Sequence, residues 1–122
     1  MNTSTFNACT QELLEHCRKI RDSKGIDYTD GEDRLSNFKT NAKRWCTNPR
    51  LVWAIYFGKH LDAIASHVHR GQVESEPIRD RIADAINYLI LYWALINDSG
   101  PGPVPRSPEP ALIMTEEGPS TP

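Results

Sequence analysis

Asp80, Asp84 and Asn87 stand at i, i+4 and i+7 in "ESEPIRDRIADAINYLILYWALI", so on a helix they share one face. The segment around them becomes almost wholly apolar toward Ile96. A lone carboxylate on a helix that buries most of its surface is costly, so Asp84 requires a cation, a metal or several hydrogen-bond donors. A second polar stripe, Lys59, Asp62, Ser66 and His69 with His60 and His67 beside it, runs along the preceding segment. By pattern, Lys59 is the nearest counter-charge for Asp84. Facing stripes of this kind would enclose a polar cleft between two helices.

The stretch "DYTDGEDRLSNFK" supplies a second cluster: Asp27, Asp30, Glu32 and Asp33, followed by Arg34, Asn37 and Lys39. Helix capping accounts for Asp30 and Asp33 without a ligand. The chemical alternative is carboxylates holding Mg²⁺ while Arg34 and Lys39 meet phosphate oxygens. The spacing and closing glutamate of a calcium loop are missing. His60, His67 and His69 lack the i, i+4 spacing of a helical zinc clamp, so solvated histidines are expected. No GxSxG, P-loop or GxGxxG run occurs.

These residues need helices to position them. Apolar residues recur with helical period throughout, and no stretch sustains strand-like alternation. The pattern predicts four helices in an all-α, bundle-like domain. The first starts near Ser4 or Thr5, buries Phe6, Leu13, Cys17 and Ile20, and ends at Gly25. The second is capped by Asp30 and buries Leu35, Phe38, Ala42 and Trp45. Asn48 and Pro49 open the third, which buries Val52, Ile55, Tyr56, Ala63 and Ile64 and stops at Gly71. Ser75 or Glu76 caps the fourth, with Pro77 in its first turn and Ile78, Ile82, Ala85, Ile86, Leu89 and Trp93 as its main stripe. Ile90 and Leu91 make its C-terminal half apolar nearly all round, which predicts cover from several sides, including a second copy of the chain.

The 122 residues suffice for one domain, expected over 1–98. Seven of the nine prolines fall in 99–122, so that tail is expected to be disordered. A net charge of −2 argues against a general nucleic-acid or anionic-membrane binder. Three cysteines without CxxC spacing, and no signal peptide, lead to the expectation of reduced thiols in a cytoplasm. The Ile82–Ile96 run is short for a membrane span and contains Asp84.

Taken together, "DYTDGEDRLSNFK", "GKHLDAI" and "VESEPIRDRIADAINYLILYWALI" resemble a small, mostly phage-borne family catalogued as a nucleotide-modification-associated domain. The resemblance covers roughly Asp27 to Ile96 and is firmest in "DRLSNF", "KHLDAI", "ESEPI" and "DAINYL". It implies a phage or prophage protein, in the host cytoplasm, linked to nucleotide or DNA-modification metabolism. The chain also looks like the all-α MazG and dimeric dUTPase pyrophosphohydrolases, which bind Mg²⁺ between ExxE and ExxD helices. Here "RIAD" places Arg81 where the first acid of ExxD would stand, and the literal ExxE, "ELLE", lies in the first helix.

On these resemblances the expected site is a nucleotide cleft between the third and fourth helices, with an oligomer interface as an alternative setting. Asp80 and Asp84, with Glu76, would hold Mg²⁺ and activate water; Lys59, Arg34 and Arg81 would neutralise phosphates; Asn87 or Asn37 would fix a base or sugar, with Lys39 and His60 nearby. Two alternatives are non-enzymatic: a protein that sequesters a cyclic-nucleotide defence signal or inhibits a host protein, and a plain helical interaction module.

Overall fold

The computed structural model describes residues 1–28, 33–71 and 77–99. Four helices account for nearly all of them: α1 (Thr3–Tyr28), α2 (Ser36–Arg44), α3 (Pro49–Arg70) and α4 (Ile78–Ser99). No strand occurs among the described residues. The tail expected over 99–122 and the caps expected of Asp30, Ser75 and Glu76 lie outside the described residues, save for the backbone of Ser99.

Local chemistry explains most of the boundaries. The Asn2 side chain accepts a hydrogen bond from Thr5 N (2.8 Å), so α1 begins slightly before the expected Ser4 or Thr5. Gly25 does not stop this helix, which runs on to Tyr28. A single glycine costs a helix about 1 kcal/mol against alanine and terminates it only where the next turn needs a left-handed residue. Gly71 is such a position: its φ of 79° closes α3, and its N–H reaches His67 O at 2.8 Å. Asn48 caps α3 as expected, accepting from Arg50 N, with Pro49 at the first helical position. Before α2 the Asp33 carboxylate accepts from Leu35 N (2.9 Å), and the Pro77 carbonyl accepts from the Asp80 and Arg81 N–H groups of α4.

The core gathers Leu35, Phe38, Ala42, Val52 and Leu95, with Trp53, Tyr56, Tyr88, Leu91 and Tyr92 packed around it. Trp53 Nε1 donates to Tyr88 O across the α3–α4 seam at 2.7 Å, satisfying the indole while its ring packs on Phe57 and Tyr92. α3 packs against α4 and α2, while α1 packs against α4. α1 runs parallel to α4: Glu12 pairs with Arg79, His16 with Asp80, and Arg21 with Asn87.

Several residues expected in the core are exposed instead: Phe6, Trp45, Ile55, Leu89 and Trp93. Helical period identifies residues that share a face, but a face is buried only where another element lies on it. α1 and α2 cover one side of the α3–α4 pair. Leu89 and Trp93 are on the other side. No described helix is long and apolar enough to cross a membrane.

Candidate functional site

A cavity of about 290 Å³ opens where α1 and α2 meet the α3–α4 pair. α1 contributes Ile20, Arg21 and Lys24; Arg34 comes from the turn before α2, and Asn37 and Phe38 from α2 itself. α3 presents His60, and α4 presents Asp84, Asn87, Tyr88 and Leu91. The volume lies near the lower end of the range for small-molecule sites.

Asp84 and Asn87 are buried, each 7% exposed, and both find their partners on α1. Lys24 Nζ reaches Asp84 Oδ1 at 3.0 Å, with the lysine half exposed at the cavity mouth. Arg21 Nη1 donates to Asn87 Oδ1 at 2.9 Å, and Asn87 Nδ2 donates to the Cys17 carbonyl at 3.0 Å. The amide thus accepts from one side chain and donates to the backbone of the same helix, which fixes both its orientation and that of Arg21. Arg34 Nη1 donates to the Arg21 carbonyl at 3.4 Å and so stands beside the other two cations. Among the described residues, three cations and one carboxylate leave a formal excess of two positive charges around the cavity.

The wall opposite is aromatic. Phe38 meets Tyr88 edge-on at 6.1 Å between centroids, and the His60 ring lies 4.4 Å from Tyr88. With Ile20 and Leu91 these rings form a surface suited to the face of a flat heterocycle. A cationic side facing an aromatic side fits a ligand with an anionic end and a planar end.

On the outer face of α1, charges pair within the helix. Arg18 binds Glu15 and Asp22 on the outer face, and its guanidinium holds the Glu15 carboxyl below its usual range. Arg21 and Lys24, rotated about 60° and 120° from Arg18 around the helix, line the cavity instead. Cys17 is buried beneath them, and burial pushes its thiol up, away from nucleophilic chemistry at neutral pH. Cys9 and Cys46 are exposed and unbridged.

The residues expected to form the site are thus divided. Arg34, Asn37, His60, Asp84 and Asn87 come together around the cavity. Lys59 does not join them: its ammonium lies over the Tyr56 ring, 5.7 Å from the centroid. One residue along a helix is a rotation of about 100°, and on α3 the residue turned toward the cavity is His60. The counter-charge of Asp84 is therefore Lys24, from α1. Lys39 bridges Asp33 (2.8 Å) and Asp98 (3.1 Å), fastening the start of α2 to the end of α4 outside the cavity. Arg81 does not line the cavity either.

Asp80 faces His16, one turn of α4 away from Asp84 and its lysine, so the two carboxylates serve different partners. Glu76 lies outside the described residues. No group of three or more histidines, cysteines or acids suited to a metal ion occurs among the described residues. Of the acids expected to hold Mg²⁺, Asp80 and Asp84 thus have separate partners on α1.

Arg21 and Lys24 are not among the site residues expected from the sequence. Their signal is the spacing Cys17, Ile20, Arg21, Lys24 (i, i+3, i+4, i+7), which puts two cations on the apolar face of α1. Compared with known proteins, the chain matches no family model, no curated protein and no solved structure.

Proposed function

We propose that this protein binds a small phosphorylated molecule, a nucleoside monophosphate before all others, in the cavity between α1, α2 and α4. The observation behind this reading is the convergence of Arg21, Lys24 and Arg34 opposite the Phe38, Tyr88 and His60 rings. Arginine forks and a lysine ammonium are the side chains best matched to phosphate oxygens. The excess of two positive charges matches the dianion of a monophosphate ester rather than the larger charge of a triphosphate. Asn37, on the cavity wall, offers the donor and acceptor needed by the edge of a base or by a sugar hydroxyl. The resemblance of "DRLSNF" and "DAINYL" to a nucleotide-modification-associated group points to the same ligand class.

The activity proposed is binding without turnover, as in sequestration of a nucleotide. It is preferred to hydrolysis because Asp80 and Asp84 are held by separate residues of α1 rather than presented together. The protein's own cations then take the role that a metal ion would have in a phosphohydrolase.

The test is calorimetry and thermal melting of the full chain in EDTA, with a panel of nucleoside mono-, di- and triphosphates and the parent nucleosides. Ligand at one hundred times its dissociation constant should stabilise the protein by about 2.7 kcal/mol, a rise in Tm of roughly 10 °C or more. Arg21→Met should abolish that rise, and chromatography should find the nucleotide unchanged. The proposal fails if no phosphorylated ligand in the panel raises Tm, or if binding is lost in EDTA.

A further inference from the structure

The side of the α3–α4 pair turned away from the cavity is apolar along its length. On α4, Ile82, Ile86, Leu89, Trp93 and Ile96 follow at gaps of four, three, four and three; on α3, Phe57, Leu61, Ile64 and Val68 follow at four, three and four. Both are heptad spacings, the signature of a helix that packs lengthwise against another helix. None of these nine residues is charged. Leu61 (51%), Val68 (72%), Leu89 (52%) and Trp93 (66%) are largely exposed.

The two stripes form one face. Around α3, Tyr56 meets Phe38 of α2, Trp53 and His60 meet Tyr92 and Tyr88 of α4, and Phe57 with Leu61 comes next. Around α4, Asp84, Asn87 and Leu91 point to the cavity and Tyr88 and Tyr92 to α3, with Leu89 and Trp93 next in the same sense. The Trp53–Tyr92 contact at 4.5 Å and the Trp53–Phe57 stack at 4.8 Å therefore close the seam between two adjoining stripes.

We infer that this face is the interface of a homodimer, in which the α3–α4 layers of two copies pack on one another as a four-helix core. The occupant is a second copy for three physical reasons. Two antiparallel helices, each carrying a heptad stripe, form a surface that complements itself under a two-fold rotation. From the exposures above, Leu61, Val68, Leu89 and Trp93 alone offer roughly 500 Å² per copy, more than half of the ~800 Å² per partner of a stable complex. A face without charges resembles the core of a homodimer interface more than the mixed surface of a transient one. The domain is also small enough to gain from such burial. The cavity lies on the opposite side of the α3–α4 pair, so both sites stay open to ligand in the dimer. The inference does not depend on the nature of that ligand.

Analytical ultracentrifugation of the full chain at low micromolar concentration is the test. The wild type should sediment at twice the 13.8 kDa of one chain. Leu89→Glu on α4 and Leu61→Glu on α3 should each give the single-chain mass with helical circular dichroism retained. Ile55→Glu, at a still more exposed position of α3 but off the face, should leave the dimer intact. Should a glutamate variant fail to fold, Leu89→Ala must still weaken dimerisation at least tenfold. A wild type monomeric throughout overturns the inference: with Trp93 shielded from acrylamide the face is covered by the chain's own 100–122 segment, and with the protein bound to phosphatidylcholine vesicles it is a lipid surface. Dimers that survive both glutamate variants, or that fall apart with Ile55→Glu, overturn it as well.

Discussion

Asp84→Asn separates anion binding from metal chemistry, because the two give opposite signs. The Asp84 side chain is almost buried, and its counter-charge among the described residues is Lys24 at 3.0 Å, itself half exposed. An amide has the same shape and its oxygen still accepts from Lys24, so the cost to stability is about 1 kcal/mol, less than for a fully buried ion pair cut in half. The effect on an anionic ligand is larger in proportion. A unit charge roughly 8 Å from a phosphate contributes about 2 kcal/mol of repulsion per phosphate charge at an effective dielectric of 20, and physiological salt reduces the sum for a dianion to about 1–1.5. Removing the carboxylate should therefore tighten a nucleoside monophosphate about five- to tenfold, and the gain should shrink as salt is raised. Isothermal titration of wild type and variant in EDTA, at low and at 0.5 M salt, roughly a Debye length of 4 Å in the latter, measures both parts. Weaker binding by Asp84→Asn would refute the reasoning and place the carboxylate on the ligand itself or on a metal that holds it.

Other consequences are smaller or purely structural. Asn87→Ala removes the acceptor of Arg21 and the donor to Cys17 O in one buried site, a loss of about 2 kcal/mol that should lower Tm by roughly 8–15 °C. Brief iodoacetamide treatment of the native protein should label Cys9 and Cys46 but spare the buried Cys17, with all three labelled in guanidinium, as peptide mass spectrometry would read out. Lys39 and the Leu35 N–H hold the Asp33 carboxyl below its usual pKa. Such a group adds stability above its unfolded value of about 3.9, and that stability disappears as pH falls through the lower folded value. Because Asp33 is well exposed, Asp33→Asn should lower Tm only slightly at pH 7 and not at all once the pH is taken well below the ordinary carboxylate value.

What could be read from the sequence follows from which forces act locally. Asn48, Pro49 and Gly71 bound α3 as expected because capping is decided within a few residues. The four-helix, all-α architecture follows equally from local period. Asp84 and Asn87 stand out as polar residues on an apolar helix, and both are buried against partners. The identity of those partners was not legible, because periodicity tells which residues share a face and not which helix lies opposite. Lys59 is adjacent in pattern but turned onto Tyr56, whereas Lys24 is sixty residues away in sequence and brought in by the parallel packing of α1 on α4. The same limit explains Leu89 and Trp93: an apolar stripe was visible, but not that the chain's own described helices leave it uncovered.

Asp84 and Asn87, one turn apart, thus have different tasks toward one ligand. α1 packs on α4, so the direction of Arg21 and Lys24 is set by what α4 offers them. Asn87 is uncharged: it orients Arg21 at 2.9 Å without opposing an anion, and its loss would leave the guanidinium free to turn to solvent. Asp84 orients Lys24 but also repels the phosphate that Lys24 would meet. Preorganisation lowers the entropy lost on binding, and like-charge repulsion raises its free energy; for Asn87 only the first operates, while for Asp84 the two oppose. Replacing the neutral anchor should therefore weaken a nucleoside monophosphate, and replacing the charged one by its amide, which keeps the anchor and removes the repulsion, should strengthen it. Titration of Asn87→Ala and Asp84→Asn side by side reads out both signs. Changes of the same sign at both positions would mean that the cations of α1 are not the groups that receive the phosphate.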